Sequence, residues 1–380
     1  MKKILIVINS LDRGGTERHL MQVLPRLSQC GYRVAVYCLV HKGELSADLE
    51  RAGVTVFGGS VKPHSSWGWL FALGIGGFSL GLRLLLKRPD IVHFFLPSAY
   101  IIGAPLAWLT FIPIKIMSRR SLNNYQRSYF WLGQVERFLH RQMDVVTGNS
   151  MSVVTQLREE GVPEQKLRLI YNGVDMSGFI DLPARDVARS KRGIDPDVVV
   201  FVIVANLLRY KGHDDLLEAF AIAEPNLPDK WVLFCAGRDG GIGGRLTVQA
   251  QRLGLEDRIR FLGPVADIPQ LLAAADIALL PSHEEGFSNA VIEYMAAGLP
   301  VIATDVGGNA EALNYGQAGI VVPARDPVAL AAAISGLAVA PELRRSLGSA
   351  AKRRVAEHFS LEICLKGYGA LYNQFSVGDD

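Results

Sequence analysis

The sequence predicts an α/β protein with two doubly wound domains, each built on a parallel sheet. Its length of 380 residues exceeds what one hydrophobic core usually supports, so we expect two domains. Short apolar runs alternate with amphipathic stretches along the whole chain, which is typical of βαβ units. Apolar residues make up 49% of the chain and charged residues 20%, which argues against a disordered protein.

The apolar runs form two successive sets of strands. The first set is predicted at 3–8, 33–40, 54–58, 90–95, 114–118 and 144–149. The second set is predicted at 198–206, 231–237, 259–263, 276–282 and 300–304. Residues 170–197 mix glycine, proline, aspartate and basic residues, which favours a linker. We therefore predict an N-terminal domain at 1–172, a C-terminal domain at 173–360, and a helix at 361–380 that could cross back to the first domain.

Charge is distributed unevenly between the two halves. Residues 1–170 hold 21 Lys and Arg against 11 Asp and Glu, and the remainder holds 19 against 26. A basic first half suggests an anionic partner, such as a phosphate-bearing substrate or an acidic membrane surface. The alternative, that two domains simply have different surfaces, is equally good at this point.

The four cysteines show neither a C-x-x-C pair nor a metal-binding spacing, so we expect reduced thiols in a cytoplasmic protein.

Residues 283–308, HEEGFSNAVIEYMAAGLPVIATDVGG, contain two glutamates eight positions apart. A helix is predicted to begin near Ser288, and its first free N–H groups would form an anion site. Glu285 would lie in the loop before this helix and Glu293 in its first or second turn. Carboxylates cannot bind an anion, so they must accept hydrogen bonds from hydroxyl groups attached to it. A diphosphate flanked by two polyols, as in a nucleotide sugar, fits this pattern better than carboxylates that only offset the helix dipole.

The sequence GGTE at 14–17 allows two interpretations. Gly14 and Gly15 could form a tight turn whose amides approach a phosphate, because glycine allows positive φ and close backbone contact. They could instead join a strand to a helix at 17–27, with Thr16 as its N-cap. The other motifs favour the first interpretation.

The stretch EGFSNAVIEYMAAGLPVIAT resembles the E-x7-E signature of the family 4 glycosyltransferases, also called glycosyl transferases group 1. The resemblance extends over nearly the whole chain and includes GGTE (14–17), YNGVD (171–175), ANLLRYKGH (205–213) and FLGPV (261–265). It implies the GT-B fold, in which two Rossmann-like domains face one another across a cleft. It also implies a retaining, metal-independent enzyme without a cofactor. That enzyme would move a hexose from a nucleotide-diphosphate sugar to a glycan or lipid-linked acceptor in cell-surface polysaccharide or glycolipid biosynthesis.

The resemblance also implies roles for residues that match the family's motifs. In the C-terminal domain, Glu293 would accept hydrogen bonds from ribose hydroxyls, and Glu285 would contact hydroxyls of the hexose. Lys211 would neutralise charge on the leaving diphosphate. Where the family often has an arginine five positions before this lysine, the chain has Asn206, so Arg209 is a candidate for the second charge, with a solvated loop residue as the alternative. Further donor contacts are predicted for Gly14, Gly15, Asn206, Phe287, Ser288 and Asn289.

The acceptor substrate is expected to bind the N-terminal domain. His93 ends the predicted strand 90–95, where cleft residues belong, although a lone histidine at a strand end is often structural. Where some family members have a histidine after the next strand, this chain reads SRRSLNN at 118–124. Arg119 and Arg120 in that segment suggest an acceptor that carries negative charge.

Residues 67–86 are twenty mostly apolar residues with a single charge, Arg83, a length that could span a membrane. Spanning is rejected because it would remove the strand 90–95 from its sheet. A buried crossover helix is slightly favoured. The alternative is a monotopic protein, peripheral on the cytoplasmic face of an anionic membrane. Residues 118–142 would then add aromatic and basic side chains, among them Arg127, Arg137 and Arg141.

Two other functions are weighed against the transferase. A catalytically silent module that binds sugar nucleotides is disfavoured because Glu285, Glu293 and Lys211 are all intact. A nicotinamide oxidoreductase is disfavoured because the glycines at 237–246 are not in G-x-G-x-x-G register. We expect no nucleic-acid partner.

Overall fold

A computed structural model of the chain describes residues 1–59, 62–63, 65–123, 126 and 130–375. It divides into two compact units, one formed by Met1–Gly173 with Leu361–Asp380 and the other by Val174–Ser360. The predicted boundary after residue 172 lies one residue before this division. Arg127, one of the three arginines proposed for membrane binding, lies outside the described residues.

The first unit contains a seven-stranded parallel sheet with the order β3-β2-β1-β4-β5-β6-β7. Its strands are β1 Lys3–Ile8, β2 Arg33–Cys38, β3 Thr55–Gly58, β4 Ile91–Phe95, β5 Ile114–Arg119, β6 Val145–Gly148 and β7 Leu167–Leu169. Its helices, in chain order, are α1 Gly15–Gln29, α2 Ser46–Arg51, α3 Ser66–Lys87, α4 Pro97–Leu109, α5 Phe130–Gln142 and α6 Met151–Glu159.

The second unit contains a six-stranded parallel sheet with the order β10-β9-β8-β11-β12-β13. Its strands are β8 Val199–Val204, β9 Trp231–Ala236, β10 Ile259–Gly263, β11 Ile277–Leu280, β12 Val301–Thr304 and β13 Ile320–Val322. Its helices are α7 Arg185–Ser190, α8 His213–Ala223, α9 Gly243–Arg252, α10 Ile268–Ala273, α11 Asn289–Ala296, α12 Asn309–Ala312, α13 Pro327–Ala338 and α14 Pro341–His358. All eleven predicted strands are present, whereas β7 and β13 were missed because three residues are too few to show a pattern.

Helices cover both faces of the first sheet. Alternate residues of β1 point to opposite faces, so Ile4, Ile6 and Ile8 enter one core while Leu5 and Val7 enter the other. Helices α1 and α2 pack on the first of these faces, together with the C-terminal helix α15, Leu361–Asn373. Helices α3, α4, α5 and α6 pack on the second face. The last helix therefore belongs to the first unit although the chain passes through the second unit before reaching it.

The predicted linker at 170–197 is wrong for most of its length. From Val174 onward these residues belong to the second unit and include helix α7. Arg189 of that helix is 1% exposed, and its guanidinium donates to the Ala274 carbonyl at 3.1 Å and to the Asp276 carboxylate at 2.5 Å. The composition suggested a linker, but the buried ion pair of Arg189 and Asp276 joins this segment to the core of the second unit.

Helix α3 corresponds to the long apolar segment of the sequence. It is the one described helix that is long and apolar enough to cross a membrane, and only 28% of its most apolar window is buried. The pair α13 and α14, bent by 104°, passes the same test when taken together. Because α3 joins β3 to β4 within one sheet, it is a crossover helix, but the prediction that it is a buried one is wrong.

Glycine brings one side of α3 close to the sheet. A Cβ atom on Gly76 would lie 1.8 Å from the Leu39 carbonyl oxygen, so no side chain fits there. Gly76 and Gly77 lie on the buried side of the helix with Leu73, Leu80 and Leu84. Gly76 therefore lowers the helix propensity of this segment but allows its close packing.

Candidate active site

In the second unit, the loops that follow β8 and β11 bring two predicted site residues together. Lys211 ends a 3-10 turn, Arg209–Lys211, and its Nζ donates to Glu285 Oε1 at 2.5 Å. Ser282 Oγ donates to the same oxygen at 2.7 Å. The side chains of Lys211 and Glu285 are 17% and 11% exposed. The sequence predicted both residues but not that they form an ion pair.

Two glycines with positive φ allow these loops to approach one another. Gly212 has φ 73°, and a Cβ there would lie 1.9 Å from the Pro281 carbonyl oxygen. Gly307, after β12, has φ 55°, and a Cβ there would lie 2.1 Å from the Glu285 carbonyl oxygen. Any side chain at either position would both strain the backbone and displace the segment 281–285. The signal for Gly307 was present in the sequence as the pair that ends TDVGG.

Helix α11 begins where the sequence predicted. Ser288 is its N-cap, and the Ser288 hydroxyl accepts a hydrogen bond from the Val291 N–H at 3.4 Å. Glu293 lies one residue before Tyr294, whose buried hydroxyl accepts from the Val204 N–H at 2.6 Å at the end of β8. Burial raises the pKa of Tyr294 far above its usual value, and the charges of Glu293 and Glu285 raise it further. The charges of both predicted carboxylates therefore act on the same buried hydroxyl.

Other predicted donor residues have structural partners. Asn206 Oδ1 accepts a hydrogen bond from the Arg238 N–H at 3.1 Å. Phe287 is 4% exposed, and its ring lies 5.1 Å from the ring of Phe359, so its side chain belongs to the core. Arg209 is exposed, and no ion pair to it is found in the part of the chain that the structure describes. Arg209 is thus close to Lys211 in the chain but not fixed by a charged partner.

The pair His283 and Asp215 was missed by the sequence analysis. The backbone N–H of His283 donates to the Tyr210 carbonyl at 2.7 Å. The ring nitrogen Nε2 of His283 lies 2.8 Å from Oδ2 of Asp215, which is in the first turn of α8. These two contacts join the segment that carries Lys211 to the segment that carries Glu285. The histidine directly precedes the two glutamates of HEEG, which is the only sequence signal for this role.

We expect His283→Ala to lower kcat about tenfold, because small displacements of reacting groups cost one to two powers of ten in rate. His283→Gln should restore part of the rate by donating to Asp215. The measurement is kcat and donor KM together with the thermal midpoint, and His358→Ala, at an exposed histidine of the same unit, serves as the control. A His283→Ala variant with unchanged kcat would show that the pair does not position the site.

The GGTE segment of the first unit opens helix α1. Gly14 is the N-cap residue and no side chain caps the helix, so the alternative with Thr16 as N-cap is wrong. Gly14 has φ −117°, and neither it nor Gly15 has positive φ, so the predicted conformational reason for these glycines is also wrong. A Cβ on Gly14 would lie 2.3 Å from Glu17 Oε2, the end of a flexible side chain that can move aside. Burial raises the pKa of Glu17 to about 7 against the opposing charge of Arg120.

Arg120 connects two motifs within the first unit. It is partly exposed, and its Nη2 donates to Asn172 Oδ1 at 2.6 Å. Asn172 belongs to the YNGVD motif, and the charge of Arg120 also acts on Glu17 of GGTE. Arg120 remains a candidate for binding an anionic acceptor.

The assignment of His93 to the acceptor site is wrong. His93 is fully buried, with Nδ1 2.9 Å from the Tyr372 hydroxyl and Nε2 2.7 Å from Ser118 Oγ. Burial and, to a smaller extent, the charge of Arg120 lower the pKa of His93 to about 3, so the ring is neutral. The histidine is structural because α15 returns to cover the end of β4.

The assignment of Arg119 to the acceptor site is also wrong. Arg119 is 2% exposed and donates to Glu136 Oε2 at 2.9 Å and to Glu160 Oε1 at 2.5 Å. Burial alone would raise the pKa of Glu160, but the hydrogen bond with His140 and the charge of Arg119 lower it to about 2. Glu136, His140 and Glu160 lie close enough together to hold a metal ion. The guanidinium of Arg119 already supplies positive charge to both carboxylates.

Comparison with known families covers both units. Residues 13–177 match the model of Glycosyltransferase Family 4, and residues 184–354 match the model of Glycosyl transferases group 1. The D-inositol 3-phosphate glycosyltransferase of Geodermatophilus obscurus is 30% identical over an alignment of 401 positions, which covers 95% of this chain and 85% of that protein. The N-acetyl-alpha-D-glucosaminyl L-malate synthase of Bacillus anthracis is 30% identical over 243 residues, 63% of this chain and 62% of that protein.

Solved structures share the architecture. The crystal structure of Anabaena HepE in complex with UDP-glucose superposes with a TM-score of 0.84 at 23% identity and covers 99% of this chain and 100% of that one. The similarity confirms the predicted fold, and the two family models confirm the resemblance carried by the E-x7-E, YNGVD and GGTE motifs. The chain therefore belongs to glycosyltransferase family 4 and is a glycosyltransferase with the two-domain GT-B fold.

Proposed function

We propose that this glycosyltransferase transfers a hexose, with retention of configuration, from a nucleotide-diphosphate sugar to an anionic glycan or lipid-linked acceptor. The observation that carries the proposal is the ion pair of Lys211 and Glu285, in which Glu285 lies in the loop that leads into helix α11. A cation, two carboxylates and the N-terminal end of a helix match a diphosphate that carries a ribose on one side and a hexose on the other.

Each side chain has a distinct role in the proposed reaction. Lys211 neutralises the charge that grows on the diphosphate as the glycosidic bond breaks, and the first amides of α11 assist it. Glu293 accepts hydrogen bonds from the ribose. Glu285 accepts hydrogen bonds from the hexose, and Ser282 together with Lys211 fixes the orientation of its carboxylate. The complex of HepE with UDP-glucose supports a UDP-sugar as the first donor to test.

The same set of groups supports the proposal of retention without a metal. Glu285 Oε1 already accepts from two donors, so it is better suited to hold a hydroxyl group than to attack the anomeric carbon as a nucleophile. We propose that the departing diphosphate assists the acceptor hydroxyl on the same face of the sugar. Lys211, Arg209 and the amides of α11 supply the positive charge that a metal ion supplies in other transferases. The proposal requires product of unchanged anomeric configuration, read by NMR, and activity that survives a chelator.

The proposed acceptor carries negative charge. Arg120 is partly exposed and held by Asn172, so a guanidinium is oriented at the end of β5. Two relatives are named for the anionic acceptors inositol 3-phosphate and malate, which supports this choice of charge. We propose a role in cell-surface polysaccharide or glycolipid biosynthesis, on the cytoplasmic side of the membrane.

Replacing Glu293 with glutamine should weaken donor binding by more than about tenfold, because ribose hydroxyls lose a charged hydrogen-bond acceptor. Titration calorimetry with a panel of UDP-sugars would give the donor and its Kd in the same experiment. Glu218→Gln, at an exposed glutamate of α8, is the matched control. An unchanged Kd for Glu293→Gln would contradict the ribose assignment. Donor binding without any transfer or hydrolysis would point instead to a silent binding module.

A further inference from the structure

Four of the five tryptophans of the protein are exposed, and all four belong to helices of the first unit. Their exposed fractions are 83% for Trp67, 38% for Trp69, 59% for Trp108 and 61% for Trp131, whereas Trp231 of the second unit is 3% exposed. The four lie on or beside α3, α4 and α5, which are neighbours on the same side of the sheet. A large exposed apolar surface is unfavourable in water, so this surface indicates an interaction site.

Helix α3 contributes most of this face. Its exposed apolar residues are Trp67, Trp69, Leu70, Phe71, Ile75, Phe78, Leu82, Leu85 and Leu86, and from Phe71 to Leu85 they are spaced three or four positions apart. The opposite side of the helix packs on the sheet through Leu73, Leu80 and Leu84. At 1.5 Å per residue, the exposed stripe extends for about 29 Å. We call the exposed side of α3, together with Trp108, Phe111 and Trp131, the apolar face.

The charges around the apolar face favour anionic lipid over a second copy of the chain as its partner. Helices α3 and α4 contain no aspartate or glutamate. Lys87 and Arg88 lie at the end of α3, and Arg137 and Arg141 are exposed on α5. No ion pair to these four cations is found among the residues that the structure describes. Two copies of the chain joined through this face would bring like charges together, whereas anionic lipid would neutralise them.

Tryptophan is also the side chain most suited to a lipid headgroup region, because its ring is apolar while its N–H remains hydrated. Spanning is excluded by the connection of α3 to β3 and β4 in one sheet. The face can therefore enter only one leaflet, with α3 lying in the plane of the membrane.

We propose that the apolar face inserts into one leaflet of an anionic membrane and that this insertion, rather than surface charge alone, holds the protein there. The proposal deepens the membrane-side location in the proposed function. It does not depend on the transfer reaction. Binding by charge alone would be lost at high salt, whereas buried apolar area is insensitive to screening.

Cosedimentation of the full chain with vesicles tests the proposal. Vesicles of phosphatidylcholine with added phosphatidylglycerol should retain the protein at both low and high salt. Phe71→Glu with Phe78→Glu, at side chains that are 71% and 78% exposed, should weaken binding by more than about tenfold. Val328→Glu with Ile180→Glu, at exposed positions of the second unit, should bind like the wild type.

Quenching by brominated lipid locates the inserted residues. Tryptophan fluorescence of the wild type should be quenched. A variant in which the other four tryptophans are changed to phenylalanine keeps an apolar face and only Trp231, so it should bind without quenching of its fluorescence. The proposal is overturned if the wild type stays in the supernatant, if high salt releases it fully, or if the double α3 variant binds normally. It is also overturned if that variant instead abolishes a dimer seen without lipid. Because α3 carries none of the donor-binding residues, the double variant should hydrolyse donor at the wild-type rate, which separates this test from that of the proposed function.

Discussion

Replacing Lys211 with alanine should lower kcat by roughly 10²–10³-fold and change the donor KM far less. The negative charge on the diphosphate grows as the glycosidic bond breaks, so a cation beside it stabilises the transition state more than the bound substrate. In the structure, the Lys211 ammonium is fixed by Glu285 at 2.5 Å and is only 17% exposed. A buried, oriented charge acts more strongly than a solvated one because little water screens it.

Steady-state kinetics of three variants would check this expectation. Lys211→Arg should recover part of kcat because it keeps the charge. Lys230→Ala removes an exposed lysine that also pairs with a carboxylate, Asp197, so it controls for the loss of a surface ion pair. Arg209→Ala tests whether Arg209, in the same turn, supplies the second positive charge to the diphosphate. A Lys211→Ala variant with raised KM and intact kcat would mean that Lys211 binds the ground state only.

Replacing Arg119 with methionine should destabilise the first unit by about 3–5 kcal/mol, because it leaves two buried carboxylates without their cation. Glu136 is fully buried and the Glu160 side chain is 4% exposed, so neither can regain water without disrupting the core. The expected result is a large fall in the midpoint of thermal unfolding. Arg137→Met, at an exposed arginine of α5, is the matched control and should have little effect.

The pH dependence of this effect gives a second check. The pKa of Glu160 is lowered from 4.5 to about 2, so the unfolded chain takes up its proton first as the pH falls. The stability contributed by Glu160 is therefore fully present above pH 4.5 and is lost progressively between about pH 4.5 and pH 2. In Arg119→Met this carboxylate can be neutralised by protonation, so the difference between variant and wild type should shrink as the pH falls through that window. A stability difference between Arg119→Met and the wild type that stays constant from about pH 4.5 to pH 2 would contradict the role of Arg119 as the cation that neutralises Glu160.

Local chemistry let the sequence determine most of the fold and the positions of Glu285 and Glu293 relative to helix α11. The eleven strands were predictable because parallel strands are buried on both faces and read as short apolar runs. The start of α11 was predictable because Ser288 caps it locally, and this placed Glu285 before the helix and Glu293 inside it. Such features depend on residues within a few positions of one another, so the printed sequence contains all that decides them.

The tertiary structure alone decided which residues meet over long separations. Lys211 pairs with Glu285 across 74 positions, and His93 meets Tyr372 across 279, so a histidine expected to bind substrate is buried under the C-terminal helix. Arg119 and Arg120 are adjacent in sequence, yet one is enclosed by Glu136 and Glu160 while the other remains partly exposed. The sequence showed that α3 carries apolar residues on all sides of the helix. Only the packing of α3 on the sheet decided which of these side chains remain exposed. Burial is set by the arrangement of distant elements, and the composition of a segment does not record what covers it.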